Sequence, residues 1–258
     1  MFENLFSLQG KTALITGGSR GIGLMIAKGY LAHGAKVYIS SRKADVCDAV
    51  AEELGPNCFS LPQDVSTVDG VKALAAAYAK HESKLDILVN NAGAAWGAEF
   101  DEFPESRWDK VMDLNVKSPF FLTQALATPL RAAATKEAPA KVINIASIDG
   151  IHVTPGETYS YVASKSGLIH LTRRMAKKLV EDNINVTAIA PGAFASDMNR
   201  MARDQEELIS QSIPSKRIGT DEDMAGAAIF LASRAGDYVV GSTLTVDGGV
   251  AFAMSAWG

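Results

Sequence analysis

The chain has 258 residues, of which 47% are hydrophobic and 21% charged, and its formal net charge is −4. This composition is typical of a globular protein and excludes a disordered chain. The acidic balance and the lack of a basic run argue against a nucleic-acid partner. No apolar run approaches the roughly 18 residues that a membrane span needs, and the N-terminus lacks a secretory-signal pattern. We therefore expect a cytoplasmic protein without a membrane partner.

Short apolar, β-branched runs alternate with longer segments of helical period along the whole chain. The predicted strands are 12–15, 36–40, 58–61, 85–89, 141–146, 184–190 and 243–246. The predicted helices are 21–33, 44–54, 67–81, most of 105–134, 159–180 and 221–232. Such alternation implies crossover helices and a parallel sheet. The expected fold is α/β, a Rossmann-type doubly wound sheet of seven parallel strands with helices on both faces, forming one domain over residues 1–258.

A glycine-rich segment connects the first predicted strand to the first predicted helix. Glycine there permits a tight turn and lets the backbone approach a pyrophosphate, and the free N–H groups of the helix start favour negative charge. The spacing T-G-x-x-x-G-I-G departs from the usual G-x-G-x-x-G, and an ordinary strand-to-helix turn is the alternative. Because strand, loop and helix follow in the required order, we predict a dinucleotide site at Gly17, Ser19, Arg20, Gly21, Ile22 and Gly23.

The residues after the second predicted strand indicate which dinucleotide is bound. An acidic residue at this point bonds the ribose 2′-hydroxyl and selects NAD. Here Ser41 and Arg42 stand in its place, and a guanidinium suits a 2′-phosphate through charge-assisted hydrogen bonds. Arg20 is a second candidate cation. We predict NADP(H) as the cofactor, against the alternative that Arg42 is a solvated surface charge.

Seven features, in this order, resemble the short-chain dehydrogenase/reductase family over essentially the whole chain. They are Thr16-Gly17-x-x-x-Gly21-Ile22-Gly23, Asp64-Val65, Asn90-Asn91-Ala92-Gly93, Asn115, Ser147, Tyr161-x-x-x-Lys165 and Pro191-Gly192. Within the family the chain is most similar to bacterial NADPH-dependent 3-oxoacyl-thioester reductases. The resemblance implies hydride transfer between nicotinamide and a ketone or secondary alcohol, a small-molecule carbonyl or alcohol substrate, and a homotetramer.

Tyr161 and Lys165 lie four residues apart in a predicted helix and therefore share one face. The ammonium favours the phenolate, so we expect it to lower the pKa of Tyr161 from about 10. The phenol then donates a proton during ketone reduction. The resemblance implies that Lys165 also binds the nicotinamide ribose. A buried structural tyrosine with a surface lysine is the alternative.

The resemblance assigns roles to two further catalytic candidates. Ser147 ends the fifth predicted strand, where such sheets place ligands, and its hydroxyl would orient the substrate oxygen. Asn115 would help to hold a water-mediated proton path. The alternatives are a turn cap at Ser147 and a buried structural amide at Asn115. No cluster of His, Cys and carboxylates suggests a metal.

Further cofactor contacts follow from the resemblance alone. It implies that Asp64, Val65, Asn91, Ala92 and Gly93 lie on the adenine side, and that Pro191, Gly192 and Ser196 lie beside the nicotinamide. The family commonly has Thr at the position of Ser196, and serine keeps the same donor and acceptor.

Several apolar side chains are candidates for the substrate pocket or an interface. Phe194, Met198 and Met201 are predicted to cover the substrate, with a core-facing helix as the alternative. Trp96 and His152 are further lining candidates. The apolar tail 251–258 is predicted to pack at a subunit interface.

The favoured function is an NADPH-dependent reductase of ketones, with 3-oxoacyl thioesters as the substrate class. Family members that act on sugar alcohols, steroids or xenobiotic ketones are alternatives. A non-catalytic NADP-binding sensor is an alternative of another class, which the presence of both Tyr161 and Lys165 disfavours.

Overall fold

The computed structural model describes residues 2–196 and 199–253, and at Arg200 and Met201 the backbone alone. Its strands are β1 (Thr12–Thr16), β2 (Lys36–Ser40), β3 (Cys58–Ser60), β4 (Ile87–Asn90), β5 (Ala140–Ile145), β6 (Ile184–Pro191) and β7 (Thr243–Val246). They form one sheet in the order β3-β2-β1-β4-β5-β6-β7, and every neighbouring pair is parallel. This confirms the predicted seven-stranded, doubly wound sheet.

The helices connect consecutive strands. They are α1 (Gly21–Ala32), α2 (Ala44–Leu54), α3 (Val68–Ala79), α4 (Glu105–Met112), α5 (Ser118–Ala125), α6 (Ala127–Ala133), α7 (Tyr159–Leu179), α8 (Arg200–Asp204), α9 (Glu206–Ser212) and α10 (Asp221–Ala232). Within the described ranges, none of them is long and apolar enough to cross a membrane.

The strands bury side chains on both faces of the sheet because successive residues point to opposite sides. In β1, Ala13 and Ile15 pack into a core with α1 and α10, whereas Leu14 packs into a second core with α3 and α5. All three side chains are fully buried. Two cores on opposite faces explain why the strands read as nearly continuous apolar runs.

The segment 105–134, predicted as mostly helical, is interrupted twice before it ends. A π-helical turn at Asp113–Lys117 separates α4 from α5, α6 begins as a separate helix, and the helical structure ends at Ala133. Single π-turns within helices are rare and frequently occur at functional sites. This one carries Asn115 into the interior, where the side chain is 1% exposed.

The strand order reverses between β1 and β4, because the chain passes from β1 outward to β3 and then returns to β4. A crevice forms at the carboxyl ends of strands at such a point, and ligands of open α/β sheets bind there. The glycine-rich loop after β1 and the segment after β4 both lie at this crevice. The predicted cofactor and catalytic residues are therefore brought to one edge of the sheet.

Candidate active site

The glycine-rich loop has a backbone that side chains would obstruct. Gly17 has a φ of +66°, in the left-handed region that favours glycine. A Cβ on Gly23 would lie 2.3 Å from the carbonyl oxygen of Gly17, and one on Gly18 would lie 2.7 Å from Ile39. Arg20 is the N-cap of α1 and makes no side-chain capping bond. The loop thus fits a pyrophosphate at the helix start.

The loop is held against the end of β4 by Thr16 and Asn91. The hydroxyl of Thr16 accepts from the backbone N–H groups of Asn91 and Ala92, both at 3.0 Å. The Asn91 amide donates to the carbonyls of Thr16 (2.8 Å) and Gly17 (3.2 Å). Asn91 and Ala92 therefore position the glycine loop in this structure.

The end of β2 is tied to the same loop. The N–H groups of Gly17 and Gly18 donate to the carbonyl of Ser40, and the N–H of Gln63 donates to that of Ser41. Arg42 is exposed beyond this point. On the neighbouring segment, a Cβ on Gly70 would lie 1.7 Å from the Asp64 carbonyl, so glycine permits the close packing that holds the Asp64–Val65 turn.

Tyr161 and Ser147 meet at the carboxyl end of β5. The Ser147 hydroxyl lies close enough to the phenol of Tyr161 to lower the pKa of the phenol. Ser147 also accepts from the N–H of Asp149 at 3.2 Å and so caps the short 3₁₀ turn Ile148–Gly150. The catalytic and the capping interpretations of Ser147 are thus compatible, since one oxygen serves both contacts.

Lys165 lies on the same helix face as Tyr161, and its ammonium is 5.5 Å from the centre of the phenol ring. The ammonium donates to the carbonyl of Ile145 at 2.7 Å, and the side chain is buried. Burial lowers the pKa of Lys165 to about 8, against an opposing effect of the Asp149 carboxylate.

The expectation that Lys165 lowers the pKa of Tyr161 is wrong for this structure. Burial raises the pKa of Tyr161 to about 12, the hydrogen bond with Ser147 lowers it, and the charge of Asp149 raises it. The physical reason is that desolvation penalises the phenolate more than the local polar contacts stabilise it. The phenol is consequently held in its protonated form.

Asp149 is a charged member of this site that the sequence interpretation missed. Its carboxylate acts on both Tyr161 and Lys165 and accepts a hydrogen bond from the hydroxyl of Thr154. The turn carrying Asp149 packs closely on α7, because a Cβ on Gly150 would lie 2.7 Å from the carbonyl carbon of Lys165. Its position two residues after Ser147, at the ligand-binding edge, was a usable signal.

The Asn115 side chain bridges the segment after β4 and helix α7. Its oxygen accepts from the N–H of Ala94, and its amide donates to the carbonyl of Ala94, both at 2.8 Å. The amide also donates to Ser164 at 2.9 Å, and Ser164 donates to the carbonyl of Tyr161. The side chain of Asn115 therefore has a structural role here, and its proton-path role stays a prediction.

The predicted nicotinamide side lies after β6. The N–H of Gly192 donates to the carbonyl of Val246, and Ser196 accepts from the N–H of Asn199. Ser196 lies close to the glycine loop, because a Cβ added to Gly21 would be 3.3 Å from the Cβ of Ser196. Pro191 is the last residue of β6.

The predicted apolar cover over the substrate consists of Phe194, Met198 and Met201. Phe194 is 2% exposed and belongs to the core beside α10, where it packs on Gly219. It forms an isolated bridge with Gly219 and lies in no helix, so it is a core residue but not part of a core-facing helix. Met198 and the side chain of Met201 lie outside the described residues. Trp96 is 39% exposed and His152 is exposed.

A buried polar chain beneath the site was also missed. The Asn90 amide donates to Asn144 (2.9 Å) and to Thr123 (3.2 Å), and the Asn144 amide donates to Thr172 (2.9 Å). These side chains are at most 3% exposed and join β4, β5, α5 and α7. Asparagines within otherwise apolar strands were the available signal, because buried amides require partners.

The fold and this site are those of a dinucleotide-binding oxidoreductase. A family model described as enoyl-(acyl carrier protein) reductase matches residues 17–251. The chain belongs to the short-chain dehydrogenase/reductase family, which confirms the predicted family and its oxidoreductase class.

Named relatives cover almost the whole chain. It is 48% identical to a rhamnolipids biosynthesis 3-oxoacyl-[acyl-carrier-protein] reductase of Pseudomonas aeruginosa, covering 95% of this chain and 97% of that protein. It is 40% identical to a 2-dehydro-3-deoxy-D-gluconate 5-dehydrogenase of Dickeya dadantii, covering 96% and 98%. A solved structure of the Pseudomonas aeruginosa RhlG/NADP active-site complex superposes with a TM-score of 0.94 at 46% identity, covering 97% and 100%.

Proposed function

We propose that this protein is an NADP(H)-dependent reductase of 3-oxoacyl thioesters. The observation that carries the proposal is that the Tyr161 phenol and the Ser147 hydroxyl lie close together beside the buried Lys165, at the sheet edge that also holds the glycine loop. A protonated phenol and a hydroxyl at one point are what a carbonyl oxygen needs in order to become an alcohol.

The cofactor assignment rests on the loop after β2. Arg42 is exposed beside Ser41, and Ser40 is bonded to the glycine loop, so a cation lies next to the proposed pyrophosphate site. A guanidinium at that point complements a 2′-phosphate. The RhlG structure, which this chain resembles over nearly its whole length, is an NADP complex.

The chain's own residues supply the proton and the hydrogen bonds that the reaction needs. NADPH, when bound, supplies the hydride that reduces the carbonyl carbon. Ser147 donates a hydrogen bond to the carbonyl oxygen and orients it beside Tyr161. The phenolic proton of Tyr161 passes to that oxygen as negative charge develops there, and the ammonium of Lys165 lies beside the phenol, 5.5 Å from the centre of its ring.

Sugar acids are the second candidate substrate class, because a relative at 40% identity is named as a gluconate-type dehydrogenase. We rank them second because the relative at 48% identity is named as a 3-oxoacyl-[acyl-carrier-protein] reductase.

The proposal extends to the organisation of the protein. Residues 1–258 form a single dinucleotide-binding and catalytic domain, which is a homotetramer in the cytoplasm. One continuous sheet with a core on each face supports the single domain.

The test is NADPH oxidation with purified protein and a panel of 3-oxoacyl thioesters, cyclic ketones and keto sugars. We expect turnover with the thioesters and a preference for NADPH over NADH. Tyr161→Phe removes the hydroxyl at constant ring size, and we expect kcat to fall on the order of a hundredfold or more. A near-normal rate in that variant would remove Tyr161 from the mechanism, and turnover of keto sugars alone would favour the second candidate.

A further inference from the structure

Two segments meet beside the catalytic residues, one running from the end of β4 toward α4 and the other from Ser147 to α7. The first is anchored at Ala94 by both hydrogen bonds to the Asn115 side chain. Four residues further on, the N–H of Ala98 donates to the carbonyl of Glu157 on the second segment at 3.1 Å. The two segments therefore form one continuous border next to Tyr161.

This border carries apolar side chains that face solvent. Trp96 is 39% exposed and Phe100 is 73% exposed on the first segment, and Ile151 (38%) and Val153 (82%) follow Ser147 on the second. We call these four residues the apolar rim. The four side chains are exposed on two segments that a backbone hydrogen bond joins, and groups of exposed apolar side chains mark ligand or partner sites.

The aromatic members of the rim are held by their neighbours. The Phe100 ring lies edge-on to Tyr159, with the ring centres 5.5 Å apart, and Phe103 packs on the same tyrosine at 5.7 Å. The guanidinium of Arg107 lies 4.1 Å from the centre of the Trp96 ring. Tyr159 is two residues before Tyr161, so the packing of the rim and the position of the phenol depend on the same turn of α7.

We propose that the apolar rim binds the acyl chain of the substrate, from the carbon beyond the reacting carbonyl outward. This rests on the proposed function. Ile151 and Val153 follow Ser147 by four and six residues, and Phe100 packs on Tyr159. A carbonyl group held at Ser147 and Tyr161 therefore has the segments that carry the rim beside it.

The chemistry of the rim favours an alkyl chain over the other substrate classes. Its four side chains offer little hydrogen bonding, so a polyol would lose contacts with water without replacing them. An alkyl chain gains from every methylene that it buries, up to about fourfold in affinity for each. The rim therefore predicts selection by chain length.

The experiment measures kcat/KM for soluble N-acetylcysteamine thioesters of 3-oxo acids with four, six and eight carbons. For the wild-type protein with NADPH we expect a rise of roughly tenfold from the shortest to the longest, since an open rim buries each methylene only in part. Trp96→Ser and Phe100→Ser should reduce this rise to about twofold or less. The quantity compared is the ratio of kcat/KM for eight carbons to kcat/KM for four carbons within each variant, which a general loss of activity leaves unchanged.

Matched variants exclude a general effect of removing surface apolar groups. Phe2 is 75% exposed at the N-terminus, and Val180 is 43% exposed at the opposite end of α7 from Tyr161. Phe2→Ser is the control for Phe100→Ser, and Val180→Ser is the control for Val153→Ser. Both controls should keep the wild-type dependence on chain length.

The outcomes separate this inference from the proposed function. Reduction of all three thioesters with equal kcat/KM would overturn the acyl-chain site and leave the reductase intact. The acyl-chain site would also be overturned if the variants kept the wild-type dependence on chain length. These variants are Trp96→Ser, Phe100→Ser and Val153→Ser. Failure to reduce any thioester would overturn the proposed function itself.

Discussion

At the scale of single residues, burial dominates the acid–base chemistry of the site. It raises the pKa of Tyr161 to about 12 and lowers the pKa of Lys165 to about 8. Both shifts favour the neutral form, because a low-dielectric surrounding penalises charge of either sign. Near neutrality the phenol keeps its proton and Lys165 keeps its charge, which is the combination that proton donation to a ketone requires.

The lowered pKa of Lys165 predicts an alkaline limit to cofactor use. As the pH rises through about 8, Lys165 loses the proton that it carries at lower pH. The profile of kcat/KM for NADPH, which reports groups of the free enzyme, should therefore fall above that pH. Tyr161 does not contribute to this fall in kcat/KM, because its pKa of about 12 is higher.

Lys165→Arg tests whether Lys165 causes the fall in kcat/KM above about pH 8, because a guanidinium stays charged throughout this pH range. We expect this variant to be slower and to show no fall near pH 8. If kcat/KM falls at the same pH in the wild type and in Lys165→Arg, a group other than Lys165 causes the fall.

At the scale of elements, the carboxyl ends of β1, β2 and β4 behave as one cofactor platform. The Thr16 hydroxyl accepts hydrogen bonds from the N–H groups of Asn91 and Ala92, and the N–H of Gly17 donates to the carbonyl of Ser40. The loop that carries Arg42 is thus linked through the backbone to the glycine loop. Under the proposed cofactor assignment, selection of NADP(H) depends on how β2 ends, because Arg42 lies two residues beyond the strand.

This arrangement predicts the effect of Arg42→Ala. We expect kcat/KM for NADPH to fall on the order of tenfold to a hundredfold, because hydrogen bonds to a charged group are lost. The value for NADH, which lacks the 2′-phosphate, should change little. Initial rates with both cofactors measure the effect.

Arg173→Ala, at an exposed arginine on α7, serves as the control for removing one surface charge. Equal losses with NADPH and NADH in Arg42→Ala would show that Arg42 acts on the fold or on the pyrophosphate and does not read the 2′-phosphate.

At the scale of the whole molecule, apolar surface persists at the β7 edge of the sheet and near the C-terminal tail. β7 is the last strand of the sheet and its residues are only half-buried. Tyr238, which precedes this strand, is fully exposed, and Phe252 is 74% exposed. These features support the proposed homotetramer with the tail at an interface. Residues 254–258 of that tail lie outside the described residues.

The proposed tetramer is tested by sedimentation velocity of the wild type and of a variant ending at Ala251. We expect the wild type to sediment as a tetramer and the shortened chain as a smaller species, because the truncation removes the apolar tail. Phe2→Ser, an equally exposed phenylalanine at the other terminus, should leave the mass unchanged. A monomeric wild type would contradict the proposal.

The sequence by itself was sufficient wherever a local pattern carries the information. Alternation of apolar runs with helical periods predicts the parallel sheet, the glycine spacing predicts the loop after β1, and the four-residue interval predicts that Tyr161 and Lys165 share a face of α7. Each of these depends on residues that are close in the chain. The interruption at Asp113–Lys117 escaped prediction, because a single π-turn changes the helical period over one turn only.

Only the tertiary structure decided the features that depend on distant neighbours. Local spacing predicted a lowered pKa for Tyr161, whereas desolvation by the folded chain raises it. The charge of Asp149 reaches Tyr161 and Lys165 because its turn packs on α7, and Phe194 is a core residue because it packs on Gly219. The physical reason is common to all three: the free energy of a charge or an apolar group is set by what folding brings around it, and that surrounding comes from other parts of the chain.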